Sequence, residues 1–163
     1  MILFAGERGR LAADADSAVA VLYEMHYRSL VRIAALLVPD VATAEQVVQD
    51  SFVAMHSAWR SLPDADSALA YLYRSVVNLA RSSSQEDQAG SSRAHDGTVT
   101  VVSALRALPG RQREVVVLRY FAGLSEAQIA TAVGVTPGTA GALTVRAMTA
   151  LHGALGTRAD LIA

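Results

Sequence analysis

From Ser82 to Thr98 the chain carries almost nothing that it could bury: five serines, two glycines, Glu86, Asp87 and Asp96. Apolar burial there cannot offset the entropy of ordering, so the stretch reads as a linker, and the apolar residues on either side must form cores of their own. The 163 residues therefore divide into two small modules. Fully extended, such a linker reaches at most ~55 Å, and as a flexible coil it averages ~20–25 Å. It can join modules that sit well apart on one partner.

Both flanks are patterned for helix. Val19, Leu22, Tyr23, Leu30, Ile33, Ala34 and Leu37 keep to one stripe, and Pro39-Asp40 ends it. A second stripe runs from Ala44 through Val47, Val48, Phe52, Met55 and Trp59 to Leu62-Pro63-Asp64. A third joins Leu69, Leu72, Val76 and Leu79. Beyond the linker the spacing predicts four shorter helices: Val101 to Leu108, Arg111 to Phe121, one opened by Ser125, and one from Thr136 to about Leu155. No segment alternates long enough for a strand. The expected fold is all-α: two small helical domains, 17–82 with three or four helices and 99–156 with four, joined by a flexible linker at 83–98.

Composition removes whole classes of function. Without cysteine there are no disulfides, thiolate metal sites or thiol nucleophiles, which suits a reducing cytoplasm. All fourteen basic residues are arginine, so a P-loop lysine and Schiff-base chemistry are excluded. His26, His56, His95 and His152 show no pair at metal-ligand spacing, and no Gly-x-Ser-x-Gly elbow is present. We expect no enzyme, no cofactor, no metal and no small-molecule substrate. The longest apolar run, Ile33 to Val38, is far below the ~20 residues of a membrane-spanning helix, and no signal-peptide core is evident. A cytoplasmic protein without a membrane partner is expected.

One pattern points to a function. Ser125 stands three residues before Gln128, a capping box, and the short helix it opens runs to Val133. Gly134 permits a turn with positive φ. Thr136 is then a good N-cap, with Pro137 at the first helical position. That is a helix-turn-helix in outline, whose second helix can lie in a major groove. The same pattern also serves an ordinary helical hairpin, and spacing alone does not separate the two.

The residues go further than the spacing. Leu105-Arg106-Ala107-Leu108-Pro109, Arg111-Gln112-Arg113-Glu114-Val115, Leu118-Arg119-Tyr120-Phe121 and Leu124-Ser125-Glu126-Ala127-Gln128-Ile129-Ala130 resemble the C-terminal domain of extracytoplasmic-function (ECF) sigma factors, promoter-recognition subunits of bacterial RNA polymerase. The N-terminal half is similar to the same family in Leu30 to Ala34, Ala44 to Phe52, Trp59, Ala70 to Arg74 and Val77 to Arg81. Both motif sets occur in family order, and the likeness is nearest to a small actinobacterial group.

That resemblance implies roles. Glu45, Val48, Gln49, Asp50 and Phe52 would dock on the polymerase clamp, carboxylates flanking apolar anchors as suits a basic partner. Arg74, Asn78 and Arg81, with Trp59 or Tyr71, would hold the melted −10 element, since single strands want stacking and phosphate pairing. The −35 element would be met by the helix starting at Thr136, through Thr136, Thr139, Gly141, Leu143 and Arg146, with Arg111, Arg113 and Arg119 on phosphates. The implied partners are core RNA polymerase, promoter DNA and an anti-sigma factor.

Departures from the family pattern fall on DNA-facing positions. Acidic and serine residues follow Arg81 where further arginines are usual, and Gly141-Ala142 replaces a lysine-serine pair. Arg146 is the only formally charged residue from Pro137 to Gly156. The net charge of −1 hides a basic C-terminal module, with five arginines against two glutamates over 99–157. That charge precedes the recognition helix rather than lying on it. Three functions follow: a working sigma factor, a sigma-like regulator acting by contact with polymerase or an anti-sigma factor, and a stand-alone helix-turn-helix repressor.

Overall fold

The computed structural model describes residues 3–87 and 100–159, with side chains from 14–85 and 100–156. Every regular element described is helical. α1 (Leu3–Leu37), α2 (Val41–Ala58), a short 3-10 turn at Trp59–Ser61 and α3 (Ala65–Asp87) form the first module; α4 (Val101–Ala107), α5 (Gly110–Tyr120), α6 (Glu126–Val133) and α7 (Pro137–Ala159) form the second.

Local chemistry sets where these helices begin. Asp40 caps α2, its carboxylate accepting from Thr43 N–H at 2.7 Å. Asp64 accepts from Ser67 N–H at 2.7 Å ahead of α3, and that bond holds its carboxyl below the ordinary range. Thr100 and Ser103 make a reciprocal capping box for α4, as Ser125 and Gln128 do for α6. Gly134 ends α6 at φ 78°, a left-handed position that costs a side-chain-bearing residue ~1–2 kcal/mol.

Two boundaries differ from the sequence reading. α1 is helical from Leu3, well before its apolar stripe. Ala15 is buried on this extension, and Asp16 meets His56 of α2 at 2.6 Å. At the other end, α3 continues through residues expected to be linker. The hydroxyls of Ser82, Ser83 and Ser84 donate back to carbonyls one turn earlier, and Ser84 also reaches Leu37 O at 3.4 Å. Serine satisfied inside the helix in this way can extend it without an apolar face. Residues 88–98 of the expected linker lie outside the described residues.

The apolar stripes meet as their spacing predicts. Leu30, Ile33 and Leu37 of α1 pack with Val48, Phe52 and Met55 of α2 and with Leu72 and Val76 of α3. The core does not stop at the module boundary. It continues through Leu105, Val115, Leu118 and Ile129, because α3 lies against α6 and α1 against α5.

Candidate functional surfaces

On α2, helical geometry divides the expected polymerase contacts in two. Glu45, Gln49 and Asp50 are exposed, and Asp50 accepts from the Gln46 amide at 2.9 Å. Val48 and Phe52 point the other way and are 0% and 5% exposed. Tyr23 covers Phe52 edge-on with ring centroids 5.0 Å apart, and Tyr27 stacks on Tyr23 at 4.5 Å. Val48 and Phe52 are thus core residues, not anchors for a partner: residues three or four apart from Ala44 and Met55 share the buried face. The apolar groups on the exposed side are Val41 and Val53, 60% and 67% exposed. Periodicity alone could have found them, since 41, 45, 49 and 53 are four apart.

Arg74 and Asn78 of α3 are one turn apart and exposed, open to a strand of nucleic acid. Trp59 and Tyr71 are half-buried against the core, so neither ring lies free on the surface. Arg81 is elsewhere engaged. Its guanidinium grips Glu114 of α5 through two bonds, Nε to Oε1 at 3.0 Å and Nη2 to Oε2 at 2.8 Å, and Nη2 also reaches Val133 O at 3.4 Å. Hydrogen bonding to Glu114 pushes the Arg81 pKa above its ordinary value. Glu114 is 6% exposed. Sequence reading passed over it as one acid in a basic run, yet its place four residues before Leu118 put it on the buried side of α5.

The arginines assigned to phosphates also separate. Arg119 is exposed. Arg111 donates to Val133 O at 2.7 Å, clasping the carbonyl end of α6 beside the turn glycine. Arg113 is committed to structure: it donates to the carbonyls of Leu105 at 3.1 Å, Arg106 at 2.8 Å and Leu108 at 3.0 Å. Burial, then the charge of Arg106, draws its pKa below the ordinary value. It caps the carbonyl end of α4 and is not free to meet DNA. A cleft of about 310 Å³ opens beside these groups, bounded by Leu37, Ala80, Arg81, Arg111 and Glu114 among others.

The helix-turn-helix itself is α6, Gly134 and α7. Thr136 Oγ1 accepts from Thr139 N–H at 3.2 Å, and the two hydroxyls lie 2.8 Å apart. Thr139, Ala142, Val145 and Arg146 are exposed along one side of α7, with Val145 at 67%. Leu143 packs against the core and so cannot reach a base edge. Gly141 faces inward as well: a β-carbon there would stand 3.0 Å from Glu126 Oε2. Val145 was missed by the sequence reading. Its position three residues beyond Ala142, and seven before His152, was the available signal.

Among the described residues no helix is long and apolar enough to cross a membrane, and no group of three or more metal-ligating side chains occurs. A partly covered arginine face, a capped helix-turn-helix and an acidic-apolar helix face together describe a protein that works by binding.

Comparison with known proteins gives that description a family. The model for sigma-70 region 2 matches residues 22–88, and that for sigma-70 region 4 matches 99–151. The chain belongs to the sigma-70 family of RNA polymerase sigma factors, in its ECF class. It is similar to the RNA polymerase sigma-E factor of Streptomyces antibioticus, at 30% identity over 136 residues, covering 75% of this chain and 76% of that protein. The sigma-E factor of Streptomyces coelicolor is likewise 30% identical, over 76% of this chain and 78% of the relative. Among solved structures, CnrH in complex with the cytosolic domain of CnrY is similar with a TM-score of 0.66 and 28% identity, over 90% of this chain and 96% of that one. The fold is shared too with the sigma factor RpoE of Bartonella quintana, at a TM-score of 0.67 and 23% identity, over 82% and 94% of the two chains.

Proposed function

We propose that this chain binds core RNA polymerase and directs promoter-specific transcription initiation. Residues 17–82 would supply the polymerase and −10 surfaces, and residues 99–156 the −35 reader. The observation that carries the reading is the pairing, in one chain, of the exposed α2 face with a fully capped helix-turn-helix. Glu45, Gln49 and Asp50 with Val41 and Val53 form a mixed acidic and apolar face suited to a basic partner.

The −35 contact is made with little charge. Ala142 and Val145 suit thymine methyl groups, Thr136 and Thr139 offer hydroxyls, and Arg146 and Arg119 supply the cations. Such a helix gains most of its DNA affinity from the polymerase complex rather than from its own phosphate contacts. An anti-sigma partner belongs to the proposal as well, since CnrH is found in complex with the cytosolic domain of CnrY.

Purified chain with core polymerase decides the matter. Specific run-off transcription is the expected result. Polymerase binding without transcription would instead make the chain a competitor or a decoy for an anti-sigma factor.

A further inference from the structure

The arginine that the first module would offer to the −10 strand is held by a carboxylate of the second. Arg81 makes two hydrogen bonds to Glu114, at 3.0 and 2.8 Å, and a third to Val133 O at 3.4 Å, the last carbonyl of α6 before the turn glycine. Arg111 of the second module donates to that same carbonyl at 2.7 Å. The helix-turn-helix is therefore tied at its turn to the −10 face of the other module. Apolar packing of α3 on α6 and of α1 on α5 surrounds the tie.

This arrangement is incompatible with simultaneous reading of a promoter. Thr136 stands three residues beyond Val133, so their α-carbons are at most ~11 Å apart. Elements centred near −10 and −35 are about 25 base pairs apart, roughly 85 Å along B-form DNA. The exposed α2 face and the exposed side of α7 stay open in this state. Only Arg81 and the spacing between the readers are blocked.

We propose that the Arg81–Glu114 pair is an intramolecular latch that keeps the free chain closed, and that engagement of core polymerase on α2 separates the modules and releases Arg81. The assignment of Arg81 to DNA rests on the functional reading above; the latch itself does not. Its chemistry favours a switch over a permanent join. A desolvated Glu114 holds the partner strongly while closed, yet Arg81, with its side chain 30% exposed, is reached by water and by competing phosphates.

The absence of native cysteine allows a direct test. Ser29→Cys on α1 and His152→Cys on α7, both exposed, would carry spin labels in the full chain, and pulsed dipolar spectroscopy would give the distance distribution between the modules. The free parent should show one short, narrow distance. Glu114→Gln, and separately Arg81→Gln in case the first variant does not fold, should lower the ratio of closed to open chains at least tenfold. The exchange Arg81→Glu with Glu114→Arg should restore the short distance. Core polymerase should shift parent and variants alike to the same long distance. Unchanged distributions in both single variants, or a short distance kept in the polymerase complex, would overturn the latch. Failure to bind polymerase would instead remove the functional reading, while the free-chain comparison still decides the latch.

Discussion

The Glu126 carboxylate lies across Gly141, so close that a β-carbon on the glycine would stand 3.0 Å from Oε2. Glycine inside a helix costs ~0.5–1 kcal/mol relative to alanine. Glu126 is exposed and its far end can swing aside. Gly141→Ala should therefore raise stability by about 0.5 kcal/mol or more, measured by thermal melting. A loss of stability would mean that Glu126 is held in place. Gly141→Lys should pair with Glu126 before it meets phosphate, so the salt dependence of −35 duplex binding by the polymerase complex should steepen by less than the one counterion of a free lysine.

Burial separates the two halves of the α2 motif. Phe52→Ala should cost ~3–5 kcal/mol in a denaturant melt, because the ring fills the core beneath Tyr23. Glu45→Arg and Gln49→Arg should leave the melt within about 0.5 kcal/mol and weaken capture by core polymerase. Equal loss of stability in all three would refute the division.

A parallel contrast holds among the arginines. Arg113→Ala removes three hydrogen bonds to the carbonyl end of α4 and should destabilise the second module by about 2 kcal/mol. Arg119→Ala should leave folding intact and lower the salt slope of DNA binding by about one. Thermal melts and salt titrations on the same preparations check both.

At the turn, Gly134 sits at φ 78° with no atom near the space a β-carbon would take. Sterics with neighbours are therefore not the constraint; the backbone is. Gly134→Ala should cost ~1–2 kcal/mol, while Gly138→Ala, in open helical space, should be neutral or stabilising.

Acid should loosen the start of α3. Asp64 is held below its ordinary pKa by the backbone N–H of Ser67, so its contribution is present at neutral pH and is lost as pH falls through the lowered folded value. An NMR titration should place the Asp64 midpoint below that of a model aspartate. Ser67 amide exchange should quicken in Asp64→Ala, and a normal midpoint in the parent would remove the cap.

Helix positions, caps and the helix-turn-helix were legible from the sequence because they depend on contacts within a few residues. Asp40, Ser125, Gly134 and Thr136 act on their own turn of chain, and their chemistry is the same in any fold. Family membership was legible for a similar reason, since the motifs are runs of neighbouring residues. The apolar period also marked the buried face of each helix, although carrying Val48, Phe52 and Leu143 over from a motif set that period aside.

What only the tertiary structure decided is which charged groups remain free. Arg81, Arg113 and Glu114 read alike as solvated charges, because nothing local distinguishes an arginine bound to a carboxylate 33 residues away from one facing water. The serines after Arg81 looked unable to order and yet extend α3, since their hydroxyls bond within the helix and Ser84 meets α1. Local bonds are written in adjacent residues, whereas desolvation and long-range pairing depend on which surfaces the packed helices bring together.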